Sequence, residues 1–305
     1  MWGLTFPFIR AAMGCGASPF SFVGVRFVVA AAVLLPLAAR GMWRDGRALI
    51  LPSVGLGLLN FSVYIFQTIG MQTTSAAKSG FITGTNVVMV PFLDALIRKS
   101  RLSVFQGAGA AIALVGMYLL AGLAHGSSGA WDQASSGDLW TLACAFDHAL
   151  YLVLLQRHLS RFGSLSFVTG QIVTVAAASL VVGPLVEEWS FDWSDMVVVG
   201  SLIYCALFAT VIATLLHFRF QAEVLPVRSA LIFALEPVFG ALSAAAVLSE
   251  RLGPHELCGC ALILAGVLWS EAGPRCWAAL RREEKGCWTA GYPPHQLAPP
   301  GLPGA

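Results

Sequence analysis

The sequence predicts an all-α polytopic membrane protein, with ten transmembrane helices arranged as two inverted five-helix repeats. Three observations predict it. The chain of 305 residues is 57% hydrophobic and 11% charged, whereas a soluble domain carries roughly 25% charged residues. So few charges cannot cover a water-exposed surface, and the mean hydropathy of +0.76 agrees. The apolar stretches recur at lengths near the ~20 residues that a membrane helix needs. Finally, residues 78–120 match residues 228–270 at one offset without a gap: Lys78 meets Arg228, Ser79 meets Ser229, and Arg101-Leu102 meets Arg251-Leu252. Gly109 meets Gly259 and Gly116 meets Gly266. An internal repeat in so apolar a chain is the mark of a carrier built from two halves.

Taken in order, segment 1 is expected at 2–16, segment 2 at 19–39, segment 3 at 48–70, segment 4 at 76–97 and segment 5 at 103–123. A polar Gly/Ser-rich loop, 124–137, separates these from segment 6 at 138–157 and segment 7 at 165–186. Segment 8 follows at 196–217, segment 9 at 226–248 and segment 10 at 254–271. The first repeat is therefore 1–123 and the second 138–271. Segment 1 is short, and the first turns of segment 6 have no counterpart in it. Residues 272–305 are rich in Pro and Gly and read as a disordered cytoplasmic tail. Met1 leads straight into an apolar stretch with no basic region before it, so no cleavable signal is expected.

The loops give an orientation. Basic residues follow the even segments: Arg40, Arg44 and Arg47, then Arg98, Lys99 and Arg101, then Arg157 and Arg161, Arg219, and Arg275, Arg281, Arg282 and Lys285. The other set of loops is acidic, with Asp132 and Asp138, then Glu187, Glu188, Asp192 and Asp195. Lys and Arg mark the cytoplasmic side, so both termini are expected there. Five segments per half is odd, so the second repeat is inverted relative to the first.

Charges inside a membrane cost at least ~2.5–3.5 kcal/mol on insertion scales, and so mark interior roles. The repeat offset pairs several of them near mid-span: Asn86 with Glu236, and Gln67 with His217. Glu236 is the sharpest candidate. It precedes Pro237, which removes a backbone donor and breaks the helix locally. Its carboxylate either binds a substrate amine or a proton, or locks segment 9 with a structural hydrogen bond. Segment 4 has Pro91 instead, five residues later in register, so the kink is expected to be shifted between repeats. Asp147 and His148 are neighbours and cannot face the same way; one is expected to face the pathway and the other a neighbouring helix. Arg26 lies close enough to one end of segment 2 to snorkel. Arg10 reads as an interfacial anchor, and Asp94 as a partner of Arg98. Asn60 and Gln171 are amides that serve as interhelical hydrogen bonds unless they converge on a cavity. Trp140, Phe146 and Tyr151 read as packing or lipid-facing rings. Gly80 and Gly84, then Gly107, Gly109 and Gly116, read as close-packing surfaces.

Other chemistries leave no trace. GxSxG, HExxH and Walker A patterns are absent, and the Cys258-Gly-Cys260 spacing has no supporting ligands. No metal, cofactor or nucleic-acid partner is expected, and no enzyme. The residues Trp2-Gly3, Arg26-Phe27, Thr74-Ser75-Ala76-Ala77, Arg101-Leu102 and Glu250-Arg251-Leu252 carry a resemblance, together with the two glycine-bearing stretches Gly109 to Gly116 and Gly259 to Gly266. On these the chain resembles the EamA type of the drug/metabolite transporter superfamily over about 1–271. The resemblance implies a ten-helix carrier of a small polar metabolite, an amino acid or related solute, often exported, in the cytoplasmic (inner) membrane of a bacterium. The expected partners are that small molecule and the lipid bilayer, with a homodimer left open. A non-transporting membrane scaffold, with the tail as its interaction segment, and a membrane-embedded enzyme are the competing readings.

Overall fold

Regular structure in the computed structural model is helical, with no strand among the described residues. These are residues 1–74, 76–99, 103–120, 135–158, 162–221, 224–239, 242 and 253–290. Segment 1 is a short 3-10 turn, Trp2–Leu4, running into the helix Thr5–Gly14. Segments 2 and 3 share one hydrogen-bonded run, Pro19–Thr73, interrupted at Gly46. A straight helix of its 55 residues would be about 80 Å long, far beyond the ~30 Å of a bilayer core. Gly46 has φ 57° and ψ −148°, a conformation that a side chain would strain, and there the chain turns back. Contacts with segment 7, Ser164–Val186, show the reversal. Before Gly46, Gly24 lies on Ser179 and Gly41 on Ser166, an antiparallel pairing. After it, Ser53 meets Gly170 and Gly57 meets Gln171 and Thr174, a parallel one.

Segments 5 and 10 pack through their glycines. A Cβ on Gly109 would sit 2.6 Å from the carbonyl oxygen of Gly266, and one on Gly116 would sit 2.7 Å from that of Gly259. The contact is reciprocal and antiparallel, because Gly259 and Gly266 are the repeat equivalents of Gly109 and Gly116. Gly84 likewise packs on Met117, whereas Gly80 and Gly107 have no atom within 4 Å of an added Cβ. The expected glycine stripe is thus narrower than its spacing suggests.

Segments 4 and 9 break at equivalent residues, which corrects the expected shift. Segment 4 is two helices, Ala76–Gly84 and Asn86–Arg98. Thr85 donates its N–H to the Ile82 carbonyl at 3.1 Å, and its hydroxyl donates to the same oxygen at 2.6 Å. Segment 9 is helical over Pro226–Phe233, then turns. Leu235 donates its N–H to the Ile232 carbonyl at 3.0 Å. Thr85 and Leu235 stand at the repeat offset, as do Ile82 and Ile232. The local cause differs. Proline at 237 cannot serve the Phe233 carbonyl, whereas the Thr85 hydroxyl competes for the Ile82 carbonyl. Pro91 lies inside the continuous helix Asn86–Arg98 and makes no break.

Segment 8 comprises Met196–Ile203, a π-helical stretch Tyr204–Ile212, and Ala213–Gln221. Segments 5 and 6 are Val104–Leu120 and Ser136–Leu155. Segment 10 belongs to the helix Pro254–Ala290, which continues past residue 271 where an unfolded tail was expected. Ala, Leu, Arg, Glu and Lys between Arg275 and Ala290 are strong helix formers, which accounts for the extension. Residues 291–305 lie outside the described set.

Several residues read from the sequence as loop charges are helix caps. Glu187 accepts from the N–H groups of Phe20 and Ser21 at 2.7 and 3.3 Å, at the start of segment 2. Asp195 caps segment 8, and Asp138 forms a capping box with Ser135 on segment 6. Each satisfies N–H groups that no helical carbonyl reaches. Arg10, expected to anchor in the interface, donates to the carbonyls of Met71 and Gln72 at the end of segment 3. Asp94 is buried, and its expected pairing with the Arg98 side chain lies outside the described residues.

Candidate functional site

The breaks in segments 4 and 9 place Asn86 and Glu236 at the starts of their second halves. Beside them lies a polar cavity of about 80 Å³, built from segments 1, 2, 3, 4, 6, 8 and 9. Its lining includes Arg26, Asn60, Gln67, His148, His217 and Glu236, six of the nine residues selected from the sequence. Trp2, Thr5, Tyr64, Thr83, Tyr151 and Thr214 complete the polar and aromatic wall, with Phe6, Val63, Cys144 and Phe218.

Arg26 is 2% exposed, so it does not snorkel to the interface. Its Nε donates to Thr210 Oγ1 at 2.7 Å, and its guanidinium carbon lies 4.9 Å from the centre of the Tyr64 ring and 5.5 Å from that of Phe27. A guanidinium so placed gains about 0.5–2 kcal/mol from the rings. Thr210 in turn donates to the Cys205 carbonyl five residues back, at 2.7 Å. That reach belongs to the π-helical stretch, and it leaves the threonine oxygen free to accept from Arg26. The same stretch offers the Ala209 carbonyl to Trp2 Nε1 at 2.7 Å, which ties segment 1 to segment 8. Local π geometry often marks functional positions.

Glu236 is half-buried against the cavity and makes no hydrogen bond or ion pair among the described residues. The ion pairs of the described residues are Arg44 with Asp45 and Lys78 with Asp138. Arg26 and Glu236 therefore face one cavity with opposite charge and do not neutralise each other. Asn86 stands one step behind, its Nδ2 3.0 Å from His148 Nδ1, and so orients that imidazole toward the cavity.

Asp147 and His148 divide as their adjacency requires. His148 lines the cavity, while Asp147 turns to segment 3 and accepts from Ser62 Oγ. Asp147 is thus held by a neighbouring helix and is not part of the cavity lining. Gln171, 1% exposed, accepts from the Tyr151 hydroxyl at 2.9 Å and supports the wall from outside. Tyr151, read as a packing ring, belongs to that wall; Trp140 and Phe146 are exposed on the outer surface.

Sequence reasoning missed Trp2, Tyr64, Thr83, Thr210 and Thr214. Nothing in the spacing distinguishes these threonines from packing residues, and the π-helical stretch has no composition signal. Tyr64 carried one usable hint: with Asn60 and Gln67 it completes an i, i+4, i+7 face on segment 3.

The profile of the EamA-like transporter family matches residues 1–122 and 135–271. The chain belongs to the EamA-like transporter family. An uncharacterized transporter of Archaeoglobus fulgidus is 31% identical over 271 residues, covering 88% of this chain and 81% of that protein. Probable amino-acid metabolite efflux pumps of Salmonella typhimurium and Escherichia coli are each 26% identical, covering 88% and 92% of this chain and 90% and 94% of theirs. A solved crystal structure shares the fold with TM-score 0.70 at 20% identity, over 90% of this chain and 97% of the other. The EamA-like chain is therefore a multi-pass membrane transporter and not an enzyme. Five of its described helices are long and apolar enough to span a membrane, with Val104–Leu120 and Pro254–Ser270 as shorter apolar helices.

Proposed function

We propose that this transporter exports a small zwitterionic metabolite, an amino acid or close relative, by alternating access between two inverted five-helix halves. One observation carries the reading: Arg26 and Glu236 line the same cavity and form no ion pair with each other or with any other side chain among the described residues. A guanidinium recognises a carboxylate, and a free carboxylate recognises an ammonium. His148, His217, Asn60 and Gln67 add hydrogen-bonding groups between them. The efflux-pump relatives support the substrate class and the direction.

The reciprocal glycine contact of segments 5 and 10, and the equivalent breaks in segments 4 and 9, support the inverted repeat. Rocking of one half against the other about a mid-membrane site is the motion such an architecture provides. On this reading the protein sits in the cytoplasmic membrane with both termini inside. Glu236 is also the group through which a proton gradient would drive export, since its carboxylate makes no hydrogen bond or ion pair among the described residues.

Counterflow in proteoliposomes tests the reading, with a panel of amino acids and polar metabolites, with and without a pH gradient. Counterflow of a zwitterion that is lost in Glu236→Ala, in protein that remains folded, is the expected result. Movement of solutes that is indifferent to Glu236→Ala would remove Glu236 from the site. Unchanged driven transport in Glu236→Gln would remove it from coupling. Movement of no solute, by folded protein, would favour the scaffold.

A further inference from the structure

The Tyr64 ring is held by two successive residues of segment 2. The Arg26 guanidinium carbon lies 4.9 Å from its centre, and the Phe27 ring packs across it with centres 4.7 Å apart and planes 61° apart. These contacts restrain the ring, and with it the hydroxyl. Tyr64 also stands on the face that both halves turn to the cavity. Segment 3 brings Asn60, Tyr64 and Gln67 there, and segment 8 brings Thr214 and His217, which stand at the repeat offset from Tyr64 and Gln67.

The Tyr64 hydroxyl is uncommitted. The residue accepts from Thr68 Oγ1 through its backbone carbonyl at 2.7 Å, and its side chain makes no hydrogen bond among the described residues. A tyrosine hydroxyl inside a protein usually finds a partner. Tyr151, in the same wall, does so, donating to Gln171 at 2.9 Å. The Thr214 hydroxyl also lacks a partner, but its oxygen is fully covered by protein, whereas the Tyr64 oxygen is not. A donor is therefore left open at the cavity, beside the guanidinium. Arg26 Nε is engaged by Thr210, which leaves the terminal nitrogens of Arg26 to meet a ligand. A cation over the ring repels an ammonium and draws an anion, and a phenol hydroxyl donates strongly to a carboxylate.

We propose that Tyr64 is a substrate-contacting, specificity-determining residue: its hydroxyl donates to one oxygen of the substrate carboxylate while the Arg26 guanidinium takes the other. The inference rests on the zwitterion reading above and deepens it. The acid end of the substrate is read by two donors on different segments, only one of them charged.

Straight-chain amino acids from glycine to norleucine, each with its decarboxylated amine and its deaminated acid, are titrated into the full chain in nanodiscs as wild type, Tyr64→Phe, Arg26→Gln and the double variant. Tyr64→Phe keeps the ring beneath Arg26 and removes only the hydroxyl. Amino acids and acids should bind it roughly tenfold or more weakly than wild type, and amines equally well. A hydroxyl that served only to place Arg26 would have no effect once Arg26 is replaced, so the double variant separates the two roles. There the acids should bind more weakly still than in Arg26→Gln alone. No loss in Tyr64→Phe, a loss as large for the amines, or no further loss in the double variant would overturn the proposal. The zwitterion reading would stand in each case, provided that Arg26→Gln weakens the acids. Acids indifferent to both substitutions, or no binding by any member, would overturn that reading and this inference with it. A ring-fluorinated tyrosine at position 64 gives a second readout with the hydroxyl in place, should Tyr64→Phe not fold. Its fluorine resonance should shift with the acids and not with the amines, and a resonance indifferent to the acids would overturn the proposal.

Discussion

Arg26 and Glu236 face one cavity from segments 2 and 9 and form no ion pair with each other. Two opposite charges facing one cavity would ordinarily move into contact to offset their desolvation. Here each is held separately. Arg26 is fixed by Thr210 and Tyr64, and Glu236 by the helix break before it. On the proposed reading, the gap between them receives the zwitterionic substrate.

Thr210 should therefore matter to binding although it is absent from the cavity lining. Thr210→Val removes the acceptor for Arg26 Nε and leaves a buried cation short of a partner. Hydrogen bonds to charged groups contribute about 1.5–3 kcal/mol, so substrate affinity should fall by roughly tenfold or more. Thr210→Ser keeps the hydroxyl and should bind nearly as wild type. Titration of purified protein measures both; equal losses in the two variants would mean that packing, not the hydroxyl, is what the site needs.

The glycine contacts of segments 5 and 10 give a stability series. An alanine at Gly109, Gly116, Gly259 or Gly266 would force its Cβ to within 2.6–2.7 Å of a facing carbonyl. Overpacking of this kind costs about 1–3 kcal/mol. Gly107→Ala, with no atom in reach, should be neutral or slightly stabilising. Because Gly116 and Gly266 are repeat equivalents in reciprocal contacts, their variants should unfold at similar temperatures. Thermal unfolding in one detergent compares them directly, and a Gly107 variant as damaged as the rest would refute the packing assignment.

Lys78 and Asp138 meet at 2.6 Å with side chains 6% and 16% exposed, and Asp138 also accepts from Thr74 Oγ1 and Ser135 N. Removing one member of a buried pair typically costs about 3–5 kcal/mol, because the other is left uncompensated. Lys78→Met should be strongly destabilising for that reason. Lys78→Met with Asp138→Asn should recover part of the loss, since the amide still serves the cap. Equilibrium unfolding of the two variants and their combination gives the coupling; strictly additive losses would show that the two residues act independently.

Much of this was legible from residues alone. The apolar runs fell close to the helices found, because bilayer thickness fixes their length. The repeat offset found at Lys78 and Arg228 also relates the glycine contacts and the helix breaks. Glu236, Asn86 and His148 were legible because polar groups are costly in hydrocarbon and so stand out. Position within a helix was less legible. Arg26 was read near a membrane edge, yet it is buried, because threonine and two rings inside the protein make burial affordable. Asp147 was indistinguishable from His148 until the helix face was known. The break in segment 4 escaped notice because proline announces itself in sequence and a threonine hydroxyl does not. Glu187 and Asp195 were legible as acidic loop residues, but their capping role depends on which helix end lies nearby.

The most direct test of the central claim pairs substitutions with substrate analogues. The binding of one transported amino acid is compared with that of its decarboxylated amine and its deaminated acid, in wild type, Arg26→Gln and Glu236→Gln. The account predicts that Arg26→Gln weakens the acid-bearing ligands and leaves the amine unaffected. Glu236→Gln should weaken the amine-bearing ligands and leave the deaminated acid unaffected. Equal losses for all three ligands in either variant would contradict the account, since neither charge would then be reading its counterpart on the substrate.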